Sequence, residues 1–290
     1  MVRLVYAIDL DYRVLDMSCD FLFMMHAAHT PQQRVIDEAL QITPATRHDV
    51  HTDAATHTRM LRLTAQGGPL KVRYSATVDI EHKLDLPAGL PEIRVRDLPA
   101  AVLPYLVPSR YCQSDRLQRL ALKEFGYMAP GYSRAQAIAN WVRRRITFAS
   151  NSSTSATSAL DTLIDESGVC RDFAHLMIAL CRAVNLPARF VSGIDYGADP
   201  ALGPLDFHAY VEVFLGRRWY VFDPSGTAIP MGFVRMATGR DAADCAFATM
   251  IGAVEAGSPV ISIEALPGAN GQLIEPAHVT EALSTYEEAA

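Results

Sequence analysis

The segment from Cys170 to Pro187 constrains the fold most, because it is apolar around most of a helical circumference. It reads CRDFAHLMIALCRAVNLP, so the helix it forms is predicted to be central and buried. Asn185 and Pro187 predict the end of this helix, and Gly168 suits a tight approach to its first turn. Cys170 therefore stands at a helix start, where unpaired backbone N–H groups and the helix dipole favour a thiolate.

Two strand-like runs come after this helix and are joined by a short turn. The runs Asp206–Leu215 and Arg218–Phe222 flank Gly216 and Arg217, which form a two-residue hairpin signal. With a turn of this length, Leu215 faces Arg218 and the pairing continues outward from them.

This register brings two ionisable side chains to one face of the hairpin. His208 falls opposite Ser225, and Asp223 lies two residues from Ser225 on the same face. Diagonal neighbours of this kind are about 7–8 Å apart at the backbone, which is within side-chain reach. A turn with an odd number of residues would place the two side chains on opposite faces.

A thiol at a helix start, an imidazole and a carboxylate, in this order, indicate nucleophilic acyl transfer through a thioester. Each group also has an ordinary structural explanation. A lone cysteine packs as a small apolar side chain, a strand histidine finds a hydrogen bond, and an aspartate before Pro224 forms a turn. Taken singly, these explanations are the more common ones. The combination of Cys170, His208 and Asp223 favours the catalytic interpretation.

Three stretches resemble the core of the bacterial transglutaminase-like superfamily, relatives of papain-type cysteine proteases. They are GVCRDFAHLMIALCRAVNLPARFVSGIDYG, DFHAYVEVFLGRRWYVFDPSG and LVPSRYCQSD, and VRMATGRDAADCAFATMIGA resembles the segment after that core in bacterial members. The resemblance runs from about Val107 to Ala253. It implies Cys170 as the nucleophile, His208 as general base and acid, and Asp223 as the residue that orients the imidazole.

The resemblance leaves the second donor to the oxyanion open. The backbone N–H of Cys170 is the natural first donor. Papain-like enzymes use a glutamine as the second donor and animal transglutaminases use a tryptophan, but no glutamine stands just before Cys170. Trp141 is the only upstream tryptophan, and its run IANWVRRRI favours a helix in which the aromatic ring packs into the core.

Charge and composition argue against several other classes of protein. The formal net charge of −6 gives no basic surface for nucleic acid, and a solvated helix end explains Arg143–Arg145. No run of about 20 apolar residues predicts a membrane span. The acidic residues in MVRLVYAIDLDYRVLD do not fit a signal peptide. Five cysteines without framework spacing fit a reducing compartment, so a cytoplasmic location is expected.

The predicted fold is α+β, with a β-rich N-terminal domain followed by a papain-like/transglutaminase-like core and a tail. Residues 1–98 form the first domain, in which LKVRYSATVDIE alternates apolar and polar residues after a turn expected at Gly67–Gly68. Residues 99–265 form the catalytic core, in which the nucleophile helix packs on an antiparallel sheet; its C-terminal strands include SPVISIEAL. Residues 266–290 form an acidic tail that is expected to be mobile.

The region before the nucleophile helix has a helical pattern. It extends from Ser114 to Thr147 and breaks around Gly126 to Ser133. A polar loop over Asn151–Thr157 comes next. Ser158 with Asp161 resembles a capping box at the start of the next helix.

Four neighbouring residues, His48, His51, Asp53 and His57, do not have the features of a metal site. They lack a helical setting, and neither cysteines nor further carboxylates complete a tetrahedral ligand set. They are interpreted as surface residues of the β-rich domain.

Other polar and thiol groups are assigned structural roles. His175 is predicted to be a buried, hydrogen-bonded histidine, and Cys112 and Cys181 are predicted to be packed thiols. Glu212 shares a face with His208 and is expected either to line a cleft or to be solvated. The segment GRDAAD, with Asp241 and Asp244, is expected to form a turn that Arg240 stabilises.

The sequence thus predicts a thiol-dependent enzyme that acts on amide bonds of peptides or proteins through Cys170, His208 and Asp223. Water as the acyl acceptor makes it a cysteine peptidase or amidase, and a lysine amine makes it a transglutaminase. A non-catalytic binding protein on the same fold is the alternative from another class. A metalloprotein is disfavoured in which Cys170, His175, Cys181 and His208 bind the metal. The first three residues lie on one predicted helix, and their positions around it point their side chains in different directions. No metal or other cofactor and no nucleic-acid or membrane partner is expected, and the oligomeric state is left open.

Overall fold

The computed structural model describes residues 1–198, 201 and 205–285 and confirms the α+β fold. One antiparallel sheet is built around the N-terminal strands, and a second sheet carries the helices of the core. Among the described residues, the α-helices are α1 (Ser114–Phe125), α2 (Tyr132–Arg145), α3 (Ala159–Asp165) and α4 (Cys170–Ala183). In the described part of the chain, no helix is both long and apolar enough to cross a membrane.

The larger sheet combines strands from both ends of the chain. They are β1 (Val2–Phe23), β2 (Gln33–Thr43), β3 (His48–Thr52), β4 (Arg59–Ile80), β12 (Ala248–Ile251), β13 (Val254–Ala256) and β14 (Val260–Leu266). The long central strand β1 pairs with β4 along one edge and with the three short C-terminal strands along the other. β2 and β3 pair with β4.

The smaller sheet lies in the core and has four strands. They are β8 (Ala188–Asp195), β9 (His208–Leu215), β10 (Arg218–Phe222) and β11 (Phe233–Gly239). Their order in the sheet is β10-β9-β8-β11. Two further pairs lie outside it: β5 (Lys83–Asp85) with β15 (Ala282–Ser284), and β6 (Thr147–Phe148) with β7 (Ser167–Gly168).

The alternating pattern in the N-terminal region is confirmed, but the turn expected at Gly67–Gly68 is wrong. Every second residue from Val72 to Ile80 is buried, as the pattern predicts. Gly67 and Gly68 lie inside β4, where β1 has an irregular register between Val14 and Ser18. Gly68 has a φ of 120°. A β-bulge, rather than a chain reversal, therefore explains the glycine pair.

The helix α4 is buried along almost its whole length, as its apolar circumference predicts. All its residues from Asp172 to Ala183 are buried, and it packs against the three other helices and against β8 and β9. Asn185 has a φ of 63° just after its end, the left-handed conformation that terminates helices. The helices predicted on either side of Gly126 are confirmed as α1 and α2.

The hairpin that carries His208 has the predicted register. Leu215 pairs with Arg218, and the pairing continues to Val211 with Phe222. Gly216 and Arg217 form the turn with φ values of 54° and 69°, as a type I′ hairpin requires. β9 begins at His208, two residues later than the strand-like run in the sequence.

The described C-terminal segments pack differently from what the sequence suggests. Sequence order groups β12, β13 and β14 with the core, but these strands hydrogen-bond to β1 of the larger sheet. β15 is buried and pairs with β5, so the expected mobility does not hold for Ala282–Ser284. Residues 286–290 of the predicted tail lie outside the described residues.

The expectation for Glu212 is wrong, because its side chain neither lines a cleft nor meets solvent. Glu212 is fully buried in the smaller sheet between two arginines that are almost as buried. Arg189 Nε donates to its Oε2 over 2.8 Å, and Arg235 donates to both carboxylate oxygens. Arg189 also lies 4.0 Å from the ring centroid of Trp219. The acid is therefore a structural counter-ion for two buried cations.

Replacing Glu212 with Gln removes the charge that compensates Arg189 and Arg235. We expect the free energy of unfolding to fall by about 3–5 kcal/mol, because two cations remain buried without their anion. The matched control is Asp49→Asn, which removes the acid of the exposed pair with Arg62 and should cost less than about 1 kcal/mol. Urea denaturation of both variants measures the difference. Equal losses would contradict a structural role for the buried cluster.

Candidate active site

Cys170 is the first residue of α4 and is partly exposed, whereas almost every residue after it is buried. The Asp172 carboxylate accepts a 2.9 Å hydrogen bond from the backbone N–H of Val169, which satisfies a donor at the helix start. A Cβ on Gly168 would lie 2.7 Å from the Cβ of Asp172. Glycine is therefore required for the chain to enter the helix this closely.

The polar loop before α3 ties down the same helix start. Ser153 Oγ donates a 3.0 Å hydrogen bond to Asp172, and Arg171 donates to the Thr154 carbonyl over 2.5 Å. The predicted capping box is also present, since Asp161 accepts from both the backbone and the hydroxyl of Ser158. The sequence predicts the loop but not its contact with α4, because that contact joins segments that are separate in the sequence.

His208 and Asp223 lie at the ends of neighbouring strands and share a face, as the hairpin register predicts. His208 is the first residue of β9, and Asp223 comes directly after β10. The His208 Nε2 atom is 3.6 Å from Asp223 Oδ1, and both side chains are less than a tenth exposed. This distance suits an ion pair and is slightly longer than a normal hydrogen bond.

A tight loop after β10 fixes the Asp223 carboxylate. Its Oδ1 accepts hydrogen bonds from the backbone N–H (3.0 Å) and the hydroxyl (2.5 Å) of Ser225, and its Oδ2 accepts from the Ala228 N–H over 3.1 Å. Burial favours the neutral acid, but His208 and these donors outweigh burial and lower the pKa of Asp223. The carboxylate therefore stays ionised beside the imidazole.

Cys170 lies next to the start of β9. Its Sγ is 3.9 Å from the carbonyl oxygen of Phe207, the residue before His208. Burial disfavours the charged imidazole of His208, but the opposite charge of Cys170 and the interaction with Asp223 outweigh burial. Together they raise the pKa of His208 well above its ordinary value. The structure thus brings Cys170, His208 and Asp223 together in one site.

A second carboxylate, Asp195, lies at the site although sequence reasoning does not find it. It is the last residue of β8, it is 2% exposed, and its Oδ2 lies 3.9 Å from His208 Nδ1. The available signal is an acid at the end of the apolar run ARFVSGID. The run alone does not reveal the contact, because it depends on the pairing of Gly193 with His208 between β8 and β9.

An aromatic side chain of the smaller sheet, Tyr210, packs against the imidazole of His208. The Tyr210 ring lies edge-on to the imidazole of His208, with 4.6 Å between the centroids. Tyr210 is fully buried, and burial together with the charges of Asp195, Asp223 and Cys170 raises the pKa of its hydroxyl. The imidazole is therefore mostly buried, in an environment of low dielectric constant where electrostatic interactions are strong.

The remaining thiols differ from Cys170 in their burial. Cys112 and Cys181 are fully buried, which confirms the prediction that they are packed thiols. Burial raises the pKa of Cys112 to about 12 and also raises the pKa of Cys181, Cys245 and Cys19. Cys170 is the free cysteine with the greatest access to solvent. The thiol that a reagent can reach most easily is therefore the one at the helix start.

Trp141 packs as the sequence favours. Its ring meets Phe125 of α1 edge-on at 6.0 Å, and the guanidinium of Arg145 lies 5.3 Å from its centroid. Arg143–Arg145 are exposed at the end of α2, as expected for a solvated helix end. These contacts explain Trp141 without a role at the oxyanion.

The other polar candidates also have structural explanations. His175 is fully buried and its Nε2 accepts a 3.1 Å hydrogen bond from the Ala242 N–H, as predicted. Arg240 pairs with Asp244 in the predicted turn. His48 and His51 are exposed on β3. Across residues 1–198, 201 and 205–285, no group of three or more His, Cys, Asp or Glu side chains is placed to hold a metal ion.

Comparison with known proteins agrees with this architecture. Residues 122–224 match the core of the transglutaminase-like superfamily, and residues 3–101 match the N-terminal domain of bacterial transglutaminase. The first match contains Cys170, His208 and Asp223. The second covers the first four strands of the larger sheet and β5.

A solved structure resembles nearly the whole chain. It is described as "a Putative Cysteine Protease from Cytophaga hutchinsonii", is 36% identical, and superposes with a TM-score of 0.90 over 98% of this chain and 97% of that one. Both domains and their arrangement are therefore shared.

Mycobacterial proteins match shorter segments. An uncharacterized protein of Mycobacterium leprae is 31% identical over 115 residues, which are 38% of this chain and 41% of the relative. An uncharacterized protein of Mycobacterium tuberculosis is 28% identical over 169 residues, 54% of this chain and 52% of the relative. The chain thus spans about half or less of the length of these curated relatives. The two domain matches and the full-length structural likeness together show that the chain belongs to the transglutaminase-like superfamily.

Proposed function

We propose that this protein is a cysteine peptidase or amidase that cleaves amide bonds of peptides or proteins. One observation carries the proposal: a partly exposed thiol at the start of a buried helix lies beside a buried imidazole, which in turn lies 3.6 Å from a carboxylate. Membership of the superfamily and likeness to a structure described as a cysteine protease support the same chemistry.

The geometry suggests how the imidazole is used. Asp223 faces Nε2 of His208, so Nδ1 is the nitrogen left to exchange a proton with the thiol. The negative charge of Asp223 favours a proton on Nε2 and stabilises the imidazolium that forms when Cys170 becomes a thiolate. The raised pKa of His208 supports a charged imidazole at neutral pH beside the Cys170 thiol.

The reaction then proceeds in two halves. The Cys170 thiolate attacks the amide carbonyl, and the backbone N–H of Cys170 can donate to the developing oxyanion. His208 gives its proton to the leaving amine as the C–N bond breaks, which leaves a thioester. His208 next takes a proton from water, the resulting hydroxide attacks the thioester, and the acid product leaves as the thiol is restored.

The first prediction from this proposed chemistry concerns the selectivity of thiol alkylation. Near neutral pH, iodoacetamide should modify Cys170 at least about tenfold faster than Cys112, because only a thiolate that the reagent can reach will react. Intact-mass analysis with peptide mapping measures both rates, and Cys170→Ala should abolish the fast phase. Equal rates at Cys170 and Cys112 would overturn the activated-thiol hypothesis.

The second prediction concerns the pH dependence of that reactivity. A raised pKa keeps His208 charged through neutral pH, and the ion pair is lost as pH rises through that folded-state pKa. His208→Ala should therefore slow alkylation of Cys170 by roughly 10- to 100-fold at about pH 6.5. The deficit should shrink by about pH 10, where an ordinary thiol is ionised anyway. A constant ratio across this range would argue against the pairing.

The third prediction identifies the acyl acceptor. A peptide library incubated with the protein should yield cleaved products with new carboxyl termini, and Cys170→Ala should yield none, because no thioester can form. Parallel reactions with a primary amine donor and with heavy-oxygen water, analysed by mass spectrometry, measure the fate of the acyl group. Amine incorporation in place of the water label would instead make the protein a transglutaminase. The absence of both products with an alkylation-competent Cys170 would count against an amide substrate.

A further inference from the structure

Asp195 approaches the imidazole of His208 from the side opposite Asp223. Gly193 of β8 pairs with His208 of β9, so Asp195, two residues further along, has its side chain on the same face of the sheet. Its Oδ2 lies 3.9 Å from His208 Nδ1, while Asp223 Oδ1 lies 3.6 Å from Nε2. The imidazole is thus placed between two carboxylates.

The burial of Asp195 makes this position costly unless a cation compensates its charge. The residue is 2% exposed, and its Oδ1 has no hydrogen-bond partner, while the backbone N–H of Ile229 supplies one donor to the carboxylate. A buried carboxylate is stabilised by an opposite charge within about 4–6 Å. The imidazolium of His208 lies at this distance.

The ionisable groups around Asp195 come from three parts of the fold. They are His208 and Tyr210 on β9, Asp223 after β10 and, next to His208 rather than Asp195, Cys170 at the start of α4 and Asp206 just before β9. Burial raises the pKa of Asp195 to about 6, the charge of Asp223 raises it as well, and the charge of His208 opposes the rise. Asp195 is therefore ionised above about pH 6 and neutral below it.

We propose that Asp195 is a second positioning carboxylate, which stabilises the imidazolium of His208 from its Nδ1 side and extends the thiolate–imidazolium pair to higher pH. This inference rests on the proposed function, because it concerns the same imidazole. Asp195 acts through its charge and not as a hydrogen-bond acceptor for Nδ1, since 3.9 Å is too long for such a bond. Nδ1 remains available to exchange a proton with Cys170.

The ionisation state of Asp195 determines how its removal changes the pKa of His208. At neutral and alkaline pH its negative charge favours the charged imidazole, so removal of that charge lowers the pKa of His208. Below about pH 6 the acid is neutral, so the substitution changes little there. The loss of Asp195 should therefore lower the pH at which the thiolate–imidazolium pair is lost on the alkaline side. The behaviour of the pair below about pH 6 should stay nearly unchanged.

The test is an NMR titration of the His208 ring in full-length protein with isotope-labelled histidine. It compares Cys170→Ala with Cys170→Ala/Asp195→Asn, so that ionisation of the thiol does not enter, and His208→Ala assigns the signal. We expect Asp195→Asn to lower the pKa of His208 by roughly 1 unit, a tenfold change in its protonation equilibrium. A change below about 0.3 unit would overturn the proposal, whether or not Cys170 proves to be a nucleophile.

Asp206→Asn is the matched control. Asp206 lies two residues before His208 and is exposed, and its charge also interacts electrostatically with the imidazole. Its substitution should shift the pKa of His208 by less than half as much as Asp195→Asn. An equal shift would show that general charge, rather than the position of Asp195, is responsible, and would contradict the proposal.

A second measurement separates this role from a purely structural one. Asparagine keeps an acceptor for the Ile229 N–H, so Asp195→Asn should retain the fold, which circular dichroism checks. In an otherwise native chain the same substitution should move the alkaline limit of the His208-dependent alkylation of Cys170 to lower pH. Asp195→Glu should restore it in part. If Asp195→Asn does not fold, Asp195→Ser takes its place in both measurements, with the same outcome required.

Discussion

The burial of α4 is the constraint on which the rest of the structure depends. A helix that is apolar on nearly every side must be enclosed, and here the other helices and the core sheet enclose it. This packing leaves only its first turn within reach of solvent, where Cys170 lies. The same contact with β9 sets the distance between the thiol and His208. The core that stabilises the protein thus also fixes the geometry of the site.

Local patterns predict much of this arrangement because they depend on neighbouring residues. The two-residue turn determines the register that brings Asp223 to the face of His208. The apolar circumference identifies the buried helix, and the polar residues around Ser158 identify a helix start. Such signals arise from backbone geometry, so they need no knowledge of the tertiary fold.

The features that local patterns miss all depend on contacts between distant segments. Glu212 is on the face expected, but only the fold places Arg189 and Arg235 around it. Asp195 comes next to His208 only when β8 pairs with β9. Taken alone, Gly67 and Gly68 predict a turn. In the structure β4 pairs with β1 on both sides of them, so the two glycines lie at a bulge within one strand. In each case the local sequence allows more than one structural role, and a contact with a distant segment determines which role the residue has.

The pairing of β1 with β12, β13 and β14 has a consequence for biosynthesis. One edge of β1 pairs with β4, but the other pairs with strands that include β14 (Val260–Leu266), near the end of the chain. During synthesis this edge stays open, with unpaired backbone groups, until residues 248–266 have been made. A fragment that ends after residue 98 would keep that open edge permanently and would be prone to associate through it. The first four strands of the larger sheet therefore follow one another in the sequence, but the sheet is complete only after β12, β13 and β14 have been synthesised and have paired with β1.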